Sequence, residues 1–217
     1  MYARPLHQGR PLTFGVSGML WRASLLMFDR ETESLWSHVT GQAVSGPLAG
    51  QRLTMLPAVH TTWALWRASR PATVVLAKAW PDGSGSPGAV TPERALGLVV
   101  GAVAVGFPFA ELAREPLAHV GVDGVPLLVV YIEPAATAVA FRRTVDGRTL
   151  TFGDLARDGA GWQMQDRETG TRWNAVTGAA LAGPLAAAEL RPAPATQAYL
   201  DSWRQLYPGG RLWRAGP

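Results

Sequence analysis

Short apolar runs separated by turn-forming residues recur along the chain. Leu25–Phe28 is one such run, and Leu35–Val39 is another, in which apolar and polar positions alternate with Trp36 on one face. Alternation with a period of two predicts half-buried strands. Two further strands are predicted over Leu12–Phe14 and Arg52–Leu56, with a loop between Leu12–Phe14 and Leu25–Phe28. The pattern therefore indicates short strands joined by turns.

A helical pattern follows these strands. Thr61 or Thr62 is a suitable N-cap, two tryptophans three positions apart share one helical face, and a proline ends the helix. A β-branched strand is predicted next, over Thr73–Ala77. The same helical pattern returns near the end of the chain, where it predicts a helix over Gln197–Tyr207.

The middle of the chain, from Leu96 to Arg148, carries a further set of short elements. Strands are predicted on either side of a turn at Gly101, and two Asp-Gly pairs mark hairpin turns. The predicted elements are strands over Leu96–Val100 and Ala102–Val105, a helical turn over Pro108–Ala113, and strands over Pro126–Tyr131 and Ala138–Arg142. The whole chain is thus predicted to have an α+β fold of mostly short antiparallel strands with two or three short helices.

The segments on either side of this middle part are two diverged copies of one unit. Asp29–Thr32 recurs as Asp166–Thr169, 137 positions later, and the same offset relates Trp36 to Trp173. So many matches in one register indicate duplication. The middle segment, Leu96–Arg148, precedes the repeated block of the second copy and is called its leader. The first copy lacks such a leader. The predicted domains are a first copy over residues 1–79, a linker over residues 80–94 and a second copy over residues 95–217.

Composition narrows the classes of protein to consider. With 47% hydrophobic and 17% charged residues among 217, the chain can form a core. Its net charge of +4 comes from scattered arginines rather than a basic cluster, so nucleic acid is not an expected partner. The absence of cysteine excludes disulfides, thiolate catalysis and cysteine-based zinc sites.

Glycines and a proline interrupt the longest apolar stretch, Leu96–Ala110, so no transmembrane segment is predicted. Met1–Arg10 lacks the apolar core of a signal peptide, and the compartment stays open.

The run Leu12–Ala43 resembles a prokaryotic family known only as a domain of unknown function. Its members typically read S-G-x-L, then D-R-E-T-G-S-L-W-S-Q-x-T-G-E-A, which this chain matches as Ser17 to Leu20 and as Asp29 to Ala43 with few changes. The resemblance implies no activity, although members of the family are often exported. They also carry a Tyr-Cys-Pro-Leu-Cys stretch and an upstream His-Glu pair. Here Tyr131–Ala136 stands in the place of the first and Arg114-Glu115 in the place of the second, so thiol or metal chemistry is not expected.

Polar and aromatic residues of the first copy are the candidates for ligand binding. Asp29 and Arg30 could face a ligand as an ion pair, but the alternative is a turn in which the aspartate holds backbone N–H groups. Trp36 equally fits a core position. No catalytic residue, metal-ligand motif or cofactor motif is recognised. The candidates are Ser17, Ser24, Asp29, Arg30, Trp36, His38 and His60.

These observations favour a non-catalytic binding or structural module with an unknown ligand. The alternative is an enzyme or metal-binding protein with a site at the junction of the two copies. Its candidate residues are Asp29, Arg30, His38 and His60, with Ser17 and Ser24 as further members. Because the first copy lacks a leader, one sheet edge is expected to need a cover, either from the second copy's leader or from another chain in a homodimer. Residues 3–9 align with residues 141–147, inside a predicted strand and hairpin, so a further N-terminal piece is also expected.

Overall fold

The computed structural model describes residues 1–74, 92–159 and 161–216. The first copy forms a two-stranded hairpin, then a four-stranded antiparallel meander in chain order, then a short helix. The helix has Thr62 as its N-cap, whose side chain accepts a hydrogen bond from the Leu65 N–H. The elements are β1 (Leu6–His7), β2 (Arg10–Pro11), β3 (Phe14–Trp21), β4 (Ser24–Asp29), β5 (Leu35–Ser37), β6 (Ala43–Ser45) and α1 (Trp63–Ser69).

The leader forms a strand pair and a three-stranded group, linked by a short helix. Its turns at Gly101 and at Asp123-Gly124 have positive φ and join antiparallel neighbours, as predicted. The elements are β7 (Arg94–Val100), β8 (Val103–Pro108), α2 (Phe109–Arg114), β9 (Leu117–Val122), β10 (Val125–Ile132), a 3₁₀ turn (Glu133–Ala135) and β11 (Thr137–Arg142).

The second copy repeats the architecture of the first. It again has a hairpin, a meander in chain order and a seven-residue helix, followed by a short final strand. The internal repeat and the β-rich character with few helices are therefore confirmed in the described residues. The elements are β12 (Thr144–Val145), β13 (Arg148–Thr149), β14 (Phe152–Asp158), β15 (Gly161–Asp166), β16 (Arg172–Asn174), β17 (Ala180–Ala182), β18 (Arg191–Pro192), β19 (Ala195–Tyr199), α3 (Leu200–Leu206) and β20 (Arg211–Leu212).

The leader strands form the centre of the core. They belong to two sheets, ordered β19-β7-β8-β20 and β18-β11-β10-β9. Strand β10 is buried on both faces, because Leu127 and Val129 pack in the core shared with β7 and β8, whereas Leu128 and Val130 pack in the core shared with the second meander. An uninterrupted apolar strand such as β10 is what burial on both faces requires.

The two repeat helices make contacts between the copies. Helix α1 of the first copy places Leu65 in the core of the second meander, against Met164 and Trp173. Helix α3 of the second copy places Trp203 beside Val39 of the first meander. Helix α1 thus belongs to the core of the second copy, whereas α3 lies between the first meander and the β7–β8 strands of its own copy.

Helix α3 lies close to the β7–β8 pair because two glycines leave room for it. Gly97 and Gly106 are direct partners on the adjacent strands. A Cβ atom on Gly97 would lie 2.0 Å from the Trp203 ring, and one on Gly106 would lie 2.5 Å from its Nε1. The absence of both side chains thus allows the fully buried indole to lie flat on the sheet.

Three local predictions need correction, and one falls largely outside the described residues. The predicted loop after Phe14 is strand β3, which pairs with β4 through a bulge between Val16 and Leu20. Arg52–Leu56 is not a strand and forms only two isolated bridges. The last helix begins at Leu200, because residues 195–199 pair with β7 instead. The Thr73–Ala77 prediction and most of the linker lie outside the described residues.

Candidate functional site

The repeated aspartate is a buried acceptor at the turn between two meander strands. Asp29 Oδ1 accepts hydrogen bonds from the Thr32 N–H at 2.6 Å and from the Thr32 hydroxyl at 2.8 Å. Its Oδ2 accepts one from Trp36 Nε1 at 2.8 Å. Asp166 makes the same three bonds in the second copy, to Thr169 and Trp173. The arrangement is a side-chain-stabilised turn fastened to a core tryptophan.

This network occupies the carboxylate of Asp29. Burial raises the pKa of the Asp29 carboxyl, but the hydrogen bonds from Trp36 and Thr32 lower it by more. The pKa therefore lies below its ordinary value. Asp29 and Trp36 are both fully buried. Neither residue therefore presents a free polar atom to a ligand.

Two other candidates also have partners within the first copy. Arg30 is exposed, and its guanidinium carbon lies 5.5 Å from the centroid of the Phe28 ring. The Ser17 hydroxyl donates to the Leu26 carbonyl at 2.7 Å and accepts from the Met19 N–H at 3.1 Å. Ser17 thus stabilises the bulge in β3.

The remaining three candidates, Ser24, His38 and His60, line one cleft of about 380 Å³. The cleft lies between β4 and the segment after β5 in the first copy and β7, β19 and α3 in the second. Its volume falls within the range of small-molecule sites, roughly 300–1,000 Å³. The polar residues that complete its lining are Arg94, Gln197, Tyr199 and Ser202.

The ring of His38 is oriented by the backbone of β4. Its Nδ1 lies 2.8 Å from the Leu25 carbonyl oxygen and 3.3 Å from Ser24 Oγ. Because a carbonyl can only accept, Nδ1 carries the proton in the neutral ring and Nε2 keeps the lone pair. Ser24 therefore faces an N–H group and not a base, so this pair lacks the arrangement that activates a serine nucleophile.

The other side of the cleft combines a histidine with an amide that has no partner. Desolvation, and then the positive charge of the Met1 amino group, lower the pKa of His60 below its ordinary value, so His60 is neutral near pH 7. The Nε2 atom of Gln197 is buried and has no hydrogen-bond partner among the described residues. Arg94 places its guanidinium carbon 5.2 Å from the centroid of the Phe109 ring.

Sequence reasoning missed Arg94, Gln197 and Ser202, which lie far along the chain from the first meander. Ser202 donates to the Ala23 carbonyl at 3.0 Å and thereby anchors α3 beside the cleft. No local motif marks these residues. For Gln197 and Ser202, the sequence gives only an indirect indication, because the repeat aligns Gln197 with His60 and Ser202 with Leu65.

The second copy has a corresponding cleft without the same polar groups. At the offset of 137 residues, Gly161 replaces Ser24, Ala175 replaces His38, and Leu65 of α1 takes the place of Ser202. The two copies share their strand order and the buried hydrogen-bond network of aspartate, threonine and tryptophan. The pair formed by Ser24 and His38 is present only in the first copy.

Neither a metal centre nor a membrane span is found in the described parts of the chain. Residues 1–74, 92–159 and 161–216 contain no group of three histidine or carboxylate side chains placed to hold a metal ion. Within the same ranges, every helix is too short or too polar to cross a bilayer.

Comparison with known proteins gives one family. A family model described as "Protein of unknown function (DUF3179)" matches residues 1–84 and 92–215. No curated protein and no solved structure shows significant similarity to the chain.

Proposed function

The chain belongs to this family of unknown function, matched over both copies, and we propose that it is a non-catalytic binding module whose ligand occupies the cleft between the copies. The observation that carries the proposal is the difference between two clefts on one repeated scaffold. The first-copy cleft has Ser24 and His38, where the second copy has Gly161 and Ala175.

The fold does not need these polar groups. The second meander has the same strand order and the same buried Asp–Thr–Trp network without them. Placing Ser24 and the Gln197 amide away from water costs free energy unless each finds a partner. The Gln197 amide nitrogen finds none among the described residues, which supports a bound ligand as the missing partner.

The geometry supports binding over catalysis. Leu25 fixes the His38 proton on Nδ1, next to Ser24, so the serine has no adjacent base. None of the lining residues is acidic, so the cleft has no carboxylate to serve as a general acid or base.

The test is a fragment screen by two-dimensional NMR on the whole chain, which at 23.2 kDa is suitable for the method. The expected result is a set of fragments that shift the amide signals of Ser24, His38 and Gln197. The double variant Ser24→Gly/His38→Ala, which introduces the second copy's residues, is expected to lose these shifts. Arg157→Ala, in the corresponding cleft of the second copy, is the matched control and should keep them.

Three outcomes contradict the proposal. In the first, no fragment shifts the signals of the cleft. In the second, the double variant remains folded and binds the same fragments equally well. In the third, the purified chain turns over a substrate and loses that turnover in the double variant.

The second candidate function is metal binding at the same junction. One observation favours it, because His38 and His60 both line the cleft. Zinc titration by calorimetry distinguishes the two candidates. If the metal function is correct, wild-type protein binds zinc, and His38→Ala and His60→Ala each abolish the heat while thermal stability stays unchanged. Absence of zinc binding by the wild-type chain removes this candidate.

A further inference from the structure

We infer that the ligand of the cleft is a small organic anion with an apolar body, of the carboxylate class. This inference rests on the proposed function and specifies its ligand. Three independent features of the lining support it: the hydrogen-bonding roles of its polar atoms, its charge, and the apolar residues at its rim.

The free polar hydrogens of the cleft need an acceptor. The Gln197 amide nitrogen can only donate, and it is buried without an acceptor among the described residues. The His38 N–H points at Ser24 Oγ as well as at the Leu25 carbonyl. The serine oxygen therefore accepts from the ring, and its own hydrogen is available to a ligand. A carboxylate offers two acceptor oxygens and no donor, which matches both groups.

The permanent charge in the lining of the cleft is positive. Its lining contains Arg94 but no aspartate or glutamate. The Arg94 guanidinium forms no salt bridge within the described residues and lies against the Phe109 ring. A partly enclosed site with unpaired positive charge favours an anion over a cation of equal shape.

The rim supplies apolar surface. Leu20 is 72% exposed and Tyr199 is 48% exposed, although both line the cleft. Leu25 and Val39 extend this surface inward. Large apolar side chains left open beside a polar pocket are typical of ligand sites in which a few polar groups fix orientation. The ligand is therefore expected to pair an anionic head with an apolar body.

The experiment uses three probes of nearly identical shape and different charge, namely benzoate, benzamide and benzamidine. Each is titrated into the whole chain at pH 7.5 and low ionic strength, and its Kd is taken from the shifts of the Ser24, His38 and Gln197 amide signals. Benzoate is expected to bind at least about tenfold more tightly than benzamidine, with benzamide between them, because hydrogen bonds to an ionised acceptor are stronger than neutral ones.

Two variants locate the effect. Gln197→Met keeps the length of the side chain but removes the donor, and it should weaken benzoate binding by about tenfold while leaving benzamidine unchanged. Arg157→Ala, in the second copy's cleft, should change neither Kd. Circular dichroism confirms that both variants are folded.

The inference fails if benzamide or benzamidine binds as tightly as benzoate, or if Gln197→Met leaves benzoate binding intact. In those cases the cleft still binds a ligand, and the proposed function stands with a different ligand class. If no probe shifts the cleft signals, the anion inference is overturned, and the fragment screen alone decides whether the cleft binds anything.

Discussion

The indole Nε1 of Trp36 donates a 2.8 Å hydrogen bond to the carboxylate of Asp29, and both side chains are fully buried. Trp173 and Asp166 repeat the bond at the same 2.8 Å. In each copy this bond joins a tight turn to the largest side chain of the meander core. The pair is therefore the structural centre of the repeated unit.

Replacing Asp29 with alanine should destabilise the protein by roughly 3 kcal/mol or more, because the Trp36 N–H and the Thr32 N–H lose a buried acceptor. Chemical denaturation measures the free energy of unfolding. Arg30→Ala is the control, since that side chain is exposed and should matter by less than about 0.5 kcal/mol. Equal effects of the two substitutions would show that the network does not stabilise the fold.

The two copies should unfold in one transition, because α1 lies in the core of the second copy and α3 contacts the first copy through Trp203 and Ser202. Tryptophan fluorescence and far-ultraviolet circular dichroism are expected to give the same midpoint in guanidinium chloride. Asp29→Ala and Asp166→Ala should each lower that shared midpoint. Two separate transitions, each sensitive to only one of the substitutions, would contradict this coupling of the copies through their helices.

Gly97→Ala should destabilise the protein by roughly 1–3 kcal/mol, because its Cβ would overlap the Trp203 ring and push α3 away from the sheet. The cleft residue Ser202 lies on α3, so ligand binding should weaken as well. Gly121→Ala is the matched control in strand β9, where a Cβ would meet nothing within 4 Å. Thermal unfolding compares the two variants, and equal melting temperatures would disprove the close contact.

Stability should fall as the pH falls below about 6.5, the ordinary histidine value. His119 Nε2 accepts a 2.9 Å hydrogen bond from the Phe152 N–H and cannot do so when protonated. Burial, and then the charge of Arg143, hold the pKa of His119 below its ordinary value. Between pH 6.5 and the lower pKa of His119 in the folded state, the unfolded chain binds more protons than the folded chain. The stabilising contribution of neutral His119 is fully present above pH 6.5 and is lost as the pH falls through the folded-state pKa. His60 contributes in the same direction.

Unfolding free energies measured between pH 8 and pH 5 check this prediction. His119→Gln should make the free energy of unfolding less dependent on pH, and His60→Gln should reduce that dependence further. Gln51→Ala, an exposed substitution that changes no titratable group, serves as the control and should leave the slope unchanged. A His119→Gln variant with the wild-type slope would show that the Phe152 hydrogen bond is not the cause.

One prediction from the sequence still awaits an experiment. A homodimer is predicted because the first copy lacks a leader that could cover one edge of its sheet, and sedimentation of the purified chain tests it.

The sequence by itself determined the repeat and the local turns, because turn chemistry depends on a few neighbouring residues. Asp29 with Thr32 forms the same turn as Asp166 with Thr169, and each Asp-Gly pair of the leader closes the predicted hairpin. The sequence also identified Ser24, His38 and His60 as candidate ligand-binding residues. It could not distinguish them from Asp29 and Trp36, which are buried.

Tertiary packing determines which side chains line the cleft. Burial separates Asp29 and Trp36 from the cleft, and packing brings Gln197 and Arg94 to Ser24 from distant parts of the chain. The placement of α1 and α3 is likewise invisible in the pattern, since both helices have the same local sequence signals on either copy. The position of α3 depends on long-range packing, such as the fit of Trp203 over Gly97 and Gly106 of the β7–β8 strands, and no short segment encodes it.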